Sequence, residues 1–150
     1  LDNMTNKRRI VIKEDDGSHI MAAYLPPNSV DHEDGDFSGL TALSITNLAG
    51  KSFARSILYW ANLEGSDLSN CNFEQVDFRG SNLKNCNFSH ANLKGANFGR
   101  DNVGGATRLQ GADLRSAEIS NANFSFAEYD ENTQFPNNFS PTRHKMSHVV

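Results

Sequence analysis

From residue 43 onward the large apolar residues of this chain fall on every fifth position. Leu43, Leu48, Phe53 and Leu58 open the series, and Leu63, Leu68, Phe73, Phe78, Leu83, Phe88, Leu93 and Phe98 continue it unbroken. Neither regular element uses such a beat. Five residues advance a helix by about 500°, so successive anchors would sit about 140° apart and never share a stripe. In a flat strand the side chains alternate faces, so an odd spacing turns every second anchor outward. A chain that runs extended for three residues and turns a corner with the next two satisfies the pattern. The anchor then points inward, together with the residue two before it, and the corner residues point out. Repetition winds a coil whose stacked turns share backbone hydrogen bonds at about 4.8 Å.

This geometry demands a small residue two positions before each anchor. From Leu63 to Phe98 those residues are Ala61, Ser66, Cys71, Val76, Ser81, Cys86, Ala91 and Ala96. The residue just before each anchor is Asn62, Asp67, Asn72, Asp77, Asn82, Asn87, Asn92 or Asn97, all types that bond to nearby backbone and favour turns. The corners are polar or Gly, as in Glu64-Gly65, Arg79-Gly80 and Lys94-Gly95.

Units such as "ANLEG", "SDLSN", "CNFEQ", "SNLKN", "ANLKG" and "GADLRSAEISNANF" resemble the pentapeptide-repeat family, over about residues 40–130. The resemblance implies an all-β fold, a right-handed quadrilateral β-helix with four pentads per coil. It implies much less about function, because members of the family have diverse roles. With twenty residues per coil, Leu43, Leu63, Leu83 and Val103 form one column, and Leu58, Phe78 and Phe98 another.

The beat slips once. After Val103 the next anchor is Leu109, six residues on, followed by Leu114, Ile119, Phe124 and Tyr129. One extra residue in "NVGGATR" is expected, with Gly104 and Gly105 allowing a bulge. The anchors make about four to five coils. Lys51 and Asp101 stand in small-residue slots, and Ile57 in an Asn/Asp slot. Asp101 is expected to turn outward into the loop, and the first coil to be irregular or covered. Ahead of it, "RRIVIKEDDGSHIMAAYL" reads as two short strands around an Asp-Asp-Gly turn. The expected organisation is an N-terminal cap or hairpin with an acidic linker (1–36), a β-helix (37–136) and a flexible C-terminal tail (137–150). Phe135 is expected to fold over the last coil.

Composition narrows the function classes. Only 37% of residues are hydrophobic, yet the 10 Phe fall mostly on the beat. The net charge of -4 belongs to residues 1–36, while the repeat region is near neutral, so no basic stripe calls for direct nucleic-acid binding. No apolar run approaches the roughly 18 residues of a membrane span. With no secretory signal visible after Leu1, a cytoplasmic location is expected. Cys71 and Cys86 match no metal pattern and read as small core residues. "DHEDGD", Asp31 to Asp36, departs from the EF-hand loop, with Ala42 at its twelfth position, and reads as a solvated linker. His90, His144 and His148 lack plausible partners, and no Ser has a His/Asp partnership in the repeat register. The expectation is a protein that is not an enzyme and uses no cofactor or metal.

One feature stands out on the surface. Tyr59 and Trp60 occupy two outward corner positions, with Arg79 one coil away and Arg100 one further. An exposed Trp beside Arg is how interface hot spots look, and Tyr59 over Arg79 suits a cation–π contact. Tyr59, Trp60, Arg79 and Arg100 are therefore the candidate interaction surface, unless the N-terminal hairpin covers the aromatic pair. A protein partner is expected, and a homodimer through a solenoid end is a further option. A non-catalytic interaction or scaffold module is the leading reading. The family resemblance supplies an alternative, a DNA mimic that binds gyrase, although that wants an elongated acidic rod. A targeting or structural appendage of a larger protein is a third.

Overall fold

A computed structural model describes residues 33–39 and 47–150, together with the backbone of two strands ahead of them, β1 (Arg8–Lys13) and β2 (His19–Leu25). The pentads form the sides of a square coil. Residues twenty apart pair as parallel bridges, Asn47 with Asp67, Ser52 with Asn72, Ile57 with Asp77 and Asn62 with Asn82. The amide of each small-slot residue closes a turn onto the preceding anchor's carbonyl, as from Ser66 to Leu63 (3.0 Å) and Val76 to Phe73 (3.1 Å). The Asn or Asp side chain accepts from the amide two residues on: Asn62 from Glu64, Asp67 from Ser69, Asn72 from Glu74. The second corner residue takes a positive φ, as at Gly65 (72°), Asn70 (57°) and Gly80 (72°). Gly and Asn recur there because they tolerate the left-handed region best.

Side chains fill the interior. Leu63, Leu83 and Leu109 form one column, and Leu48, Leu68, Phe88 and Leu114 the next. Phe53, Phe73 and Leu93 form a third; Phe37, Leu58, Phe78, Phe98 and Phe124 form the fourth. Phe78 stacks on Phe98 at 5.3 Å and Phe98 on Phe124 at 4.7 Å. Each buried anchor contributes about 1.5–3 kcal/mol. Polar atoms in the small slots find carbonyls. Ser81 Oγ donates to Phe78, Cys71 Sγ to Leu48 (3.0 Å) and Cys86 Sγ to Leu63 (2.9 Å). Both cysteines are free, and burial pushes their thiols up, to about 11 for Cys71 and about 12 for Cys86.

Several expectations need correction. Val103 is not an anchor: it is 78% exposed. Asn82 bridges Arg108, twenty-six residues on, so Leu109 itself lies over Leu83. The interval is a six-residue insertion, 101–106, rather than a slip of one. The cause is Asp101, whose carboxylate is costly to bury in a small slot. It turns outward, as expected of it, and collects the amides of Val103 (2.9 Å) and Gly105 (2.6 Å). The acidic stretch is not simply solvated either. Glu33 accepts from Ser52 Oγ, and Glu33 and Asp34 pair with Arg55 at 3.1 and 2.9 Å. This strap leads into Phe37, whose amide reaches the Ile57 carbonyl (2.7 Å) and which packs edge-on against Phe53. Asp31, His32, Ala42 and the expected anchor Leu43 lie outside the described residues.

Residues 137–150, expected as a flexible tail, fold over the C-terminal end. Strand β4 (Ser147–His148) pairs in parallel with β3 (Glu128–Tyr129), so the last coil's edge is covered. Phe135, Phe139 and Met146 pack against the core, and Phe139 stacks on Phe135 (4.7 Å) and on the His144 ring (4.2 Å). An open end exposes strand edge and apolar core, and this segment hides both. Ahead of the coil in the chain, β1 and β2 pair antiparallel, Arg8 opposite Leu25 and Ile10 opposite Ala23, with an irregularity between Ile12 and Lys13. The turn between them and the linker 26–32 lie outside the described residues.

Candidate interaction surface

Tyr59 and Trp60 follow the buried anchor Leu58, so they leave the coil at its corner. Trp60 takes the left-handed position, with φ 59°, where the next coil has Gly80. The indole lies directly over that glycine. A Cβ on residue 80 would meet Trp60 Cδ1 at 2.4 Å, so Gly80 supplies the room that Trp60 fills. From there Trp60 Nε1 donates to Asp101 Oδ2 at 2.6 Å. The Tyr59 hydroxyl donates to Asn102 Oδ1 (2.5 Å) and accepts from the Asn102 amide (3.1 Å). The two rings lie 4.6 Å apart.

The outward aromatics and the insertion are thus one device, in which corner residues of one coil hold a loop that leaves the chain two coils on. The indole hydrogen bond, helped by the Gly105 and Val103 amides, holds the Asp101 carboxyl below the usual carboxylate range. The loop closes on itself from the Asp101 amide to the Gly105 carbonyl (2.8 Å). Thr107 then re-enters the coil, buried, with Oγ1 3.0 Å from the Phe78 carbonyl and accepting the Gly80 amide at 2.9 Å.

Arg79 sits 5.4 Å from the Tyr59 ring centroid and pairs with Asp77 at 2.8 Å. Its hydrogen bond to Asp77 pushes the guanidinium pKa further up. Of the four candidate residues, the structure brings Tyr59, Trp60 and Arg79 together, while Arg100, two coils on from Trp60 along the same corner, turns away to Phe126. The Arg100 guanidinium lies 4.3 Å from the ring centroid of Phe126, on the following coil. Sequence reasoning passed over Phe126. The signal was available, because Phe126 is a large apolar residue in a second corner position, at φ 66°.

Exposure marks the same side. Among the described residues the exposed large hydrophobics include Ile57 (41%), Trp60 (48%), Val103 (78%) and Phe126 (44%). Ile57 precedes Leu58 on this side, and a groove here is lined by Ser38, Ile57, Tyr59, Asp77, Arg79 and Asn102. The expected core residues Leu63, Leu68, Phe73, Phe78, Leu83, Phe88, Leu93 and Phe98 are all buried. Among the described residues no group of three His, Cys, Asp or Glu side chains is placed to hold a metal ion. No helix of the described residues is long and apolar enough to cross a membrane.

Comparison with known proteins bears on the coil. The family model described as Pentapeptide repeats matches in eight copies, at residues 43–75, 56–95 and 105–128, together just over half of the chain. The solved structure of HetL, a pentapeptide repeat protein involved in heterocyst differentiation regulation from the cyanobacterium Nostoc, is 26% identical with a TM-score of 0.51. That likeness covers 67% of this chain and 55% of HetL. Another pentapeptide repeat protein from Nostoc is 26% identical over 76% of this chain and 84% of its own, with a TM-score of 0.44. One from the Arabidopsis thaliana thylakoid lumen is 25% identical over 67% and 66%, also at 0.44. No curated protein matches the chain. The corners that close this coil are those of the matched repeats, and the chain belongs to the pentapeptide-repeat family, whose members fold as right-handed quadrilateral β-helices.

Proposed function

We propose that this protein is a non-catalytic interaction module that presents one side of its coil to another protein. The observation that carries the reading is the gathering of Ile57, Trp60, Val103 and Phe126, exposed, along a single side of a rod whose interior is full. A filled coil offers no enclosed cleft for a small substrate, whereas flat sides suit a protein surface. Trp60 is held over Gly80 and tied to Asp101, so little side-chain freedom is lost when a partner covers it. Arg79 beside it is held by Asp77 in the same way.

A DNA mimic gains nothing from the geometry. Its rod would display carboxylates, but here Asp77 and Asp113 pair with Arg79 and Arg115, and Lys94 is exposed. A homodimer through the C-terminal end has little to offer, since residues 137–150 cover that end. The test is capture of binding partners from the native host by tagged protein. Trp60→Ala combined with Arg79→Ala should lose partners that the wild type retains, with the fold checked by circular dichroism. Unchanged capture would retire this surface.

A further inference from the structure

We propose that the corner formed by Arg100, Phe126 and Lys145, with Arg143 beside it, docks an acidic segment of a partner protein. The proposal rests on the interaction reading above and gives it a partner chemistry. Three observations converge on this corner.

The first is charge. Arg55, Arg79 and Arg115 are each paired with carboxylates. Arg100, Arg143 and Lys145 are exposed, with no ion pair to a described residue. The remaining described neighbours on this side, Asn97, Gly99, Asn123, Ser125 and His144, bring no carboxylate. Asp101 is turned to Trp60, and Glu128, round the next corner, accepts from Gln110. A chain of net charge -4 therefore carries a local cluster of cations with no ion pair among the described residues. Its complement is anionic.

The second is the ring. Phe126 is 44% exposed in a left-handed conformation that resists bulky side chains. Its neighbour on the next turn is Lys145, whose carbonyl accepts the Phe126 amide at 2.8 Å. Arg100 covers one face of the ring at 4.3 Å. A guanidinium resting on a ring keeps its N–H edges free for a carboxylate.

The third is extent. Arg100, Phe126 and Lys145 sit on consecutive turns about 4.8 Å apart, so the cations flank an apolar ring within about 10 Å. A peptide with acidic residues around an apolar one matches that span. A nucleic acid needs a longer cationic track, and the acidity elsewhere on this chain would repel it.

The test uses the full chain, labelled with nitrogen-15, titrated with a short acetylated peptide of Asp and Glu interleaved with Leu. A Lys-for-acid peptide and oligothymidylate serve as comparisons. Amide shifts are expected at Arg100, at 125–127 and at 143–145, fading as salt is raised. Arg100→Glu with Lys145→Glu should weaken the acidic peptide about tenfold or more. Phe126→Asn should weaken it while the melting temperature holds or rises, because Asn tolerates a left-handed corner. Absent shifts, shifts centred instead on Lys84 and Lys94, an unaffected double variant, or tighter binding of oligothymidylate would each overturn the proposal. If the peptide fails while the Trp60/Arg79 variant still loses its captured partners, the interaction reading stands and only this corner is lost. Failure of both removes both.

Discussion

Excising residues 101–106 should leave a folded β-helix. The deletion joins Arg100 to Thr107 and gives Phe98-Gly99-Arg100-Thr107-Arg108-Leu109, with Leu109 five positions after Phe98. Thr107 already fills the small slot, and Arg108 already bridges Asn82, with Leu83 donating to Arg108 at 2.9 Å and Arg108 to Ser81 at 3.0 Å. The loop ends are already close, as the 2.8 Å bond from Asp101 to Gly105 requires. Excision removes the loop's contacts with Tyr59 and Trp60. The Tyr59–Asn102 hydrogen bond contributes about 0.5–1.5 kcal/mol net. Against this, six loop residues no longer have to be ordered. The whole change should lie within about 2 kcal/mol, a shift of at most about 4–8 °C in a chain of this size. Thermal unfolding followed by circular dichroism measures it. Methyl NOEs between Leu83 and Leu109 should be present before and after excision. If they appear only afterwards, Val103 sits over Leu83 in the intact protein and the six-residue insertion is wrong; a variant that does not fold refutes the reasoning outright.

Phe78→Ala should cost about 3–5 kcal/mol, because the ring is fully buried between Phe73, Phe88 and Phe98. Urea unfolding at unchanged slope measures it, and a loss under about 1 kcal/mol would deny the stacked column. The Asp101 carboxyl is depressed in the folded state. Its contribution to holding the loop is therefore complete above the ordinary carboxylate pKa of about 4 and is lost as pH falls through the lowered value. Trp60, the one tryptophan of the chain, should report that loss as an emission change below about pH 4 that is absent in Asp101→Asn. Cys71 and Cys86 should ignore a thiol reagent such as DTNB in the native protein and react once urea unfolds it, since both thiols are buried and raised. Gly80→Ala should cost about 1–2 kcal/mol for its left-handed φ and also displace Trp60, seen in its emission; an unaltered spectrum would contradict the packing of the indole over Gly80.

The coil itself was legible because one constraint repeats. Each pentad must bury an anchor, tuck a small residue beside it and satisfy a corner amide, so spacing and residue type carry the same message many times over. The errors fall where that redundancy ends. At Asp101–Ala106 the sequence offers Val103 on the beat, and nothing local tells a buried valine from one at a loop tip. Only the pairing of Asn82 with Arg108 decides it. The C-terminal segment misled for a related reason. Its Phe139 and Met146 follow no period, and their burial depends on the open end of the coil beneath them. Glu33 and Asp34 read as solvated acids because Arg55, their partner, lies about twenty residues on, one coil away.

The same logic explains why the candidate surface was only half found. A corner in the left-handed conformation is an economical place for Gly or Asn, so Trp60 and Phe126 are both conspicuous there. Trp60 announces itself by size, and its accommodation lies in a neighbour, Gly80, that is unremarkable in sequence because Gly is common at corners. Phe126 escaped notice because it follows Phe124 by two residues and looks like part of the same apolar run. What separates them is direction: Phe124 stacks inward on Phe98, and Phe126 faces outward under Arg100. In a coil whose interior is fixed by its period, an aromatic that breaks the corner rule contributes little to the core and bears on what the surface can touch. Trp60 uses that freedom to hold the chain's own loop, whereas the ring of Phe126 remains open beside cations that have no ion pair among the described residues. That difference is why the acidic-segment site belongs to the Arg100 corner rather than to the Trp60 clasp.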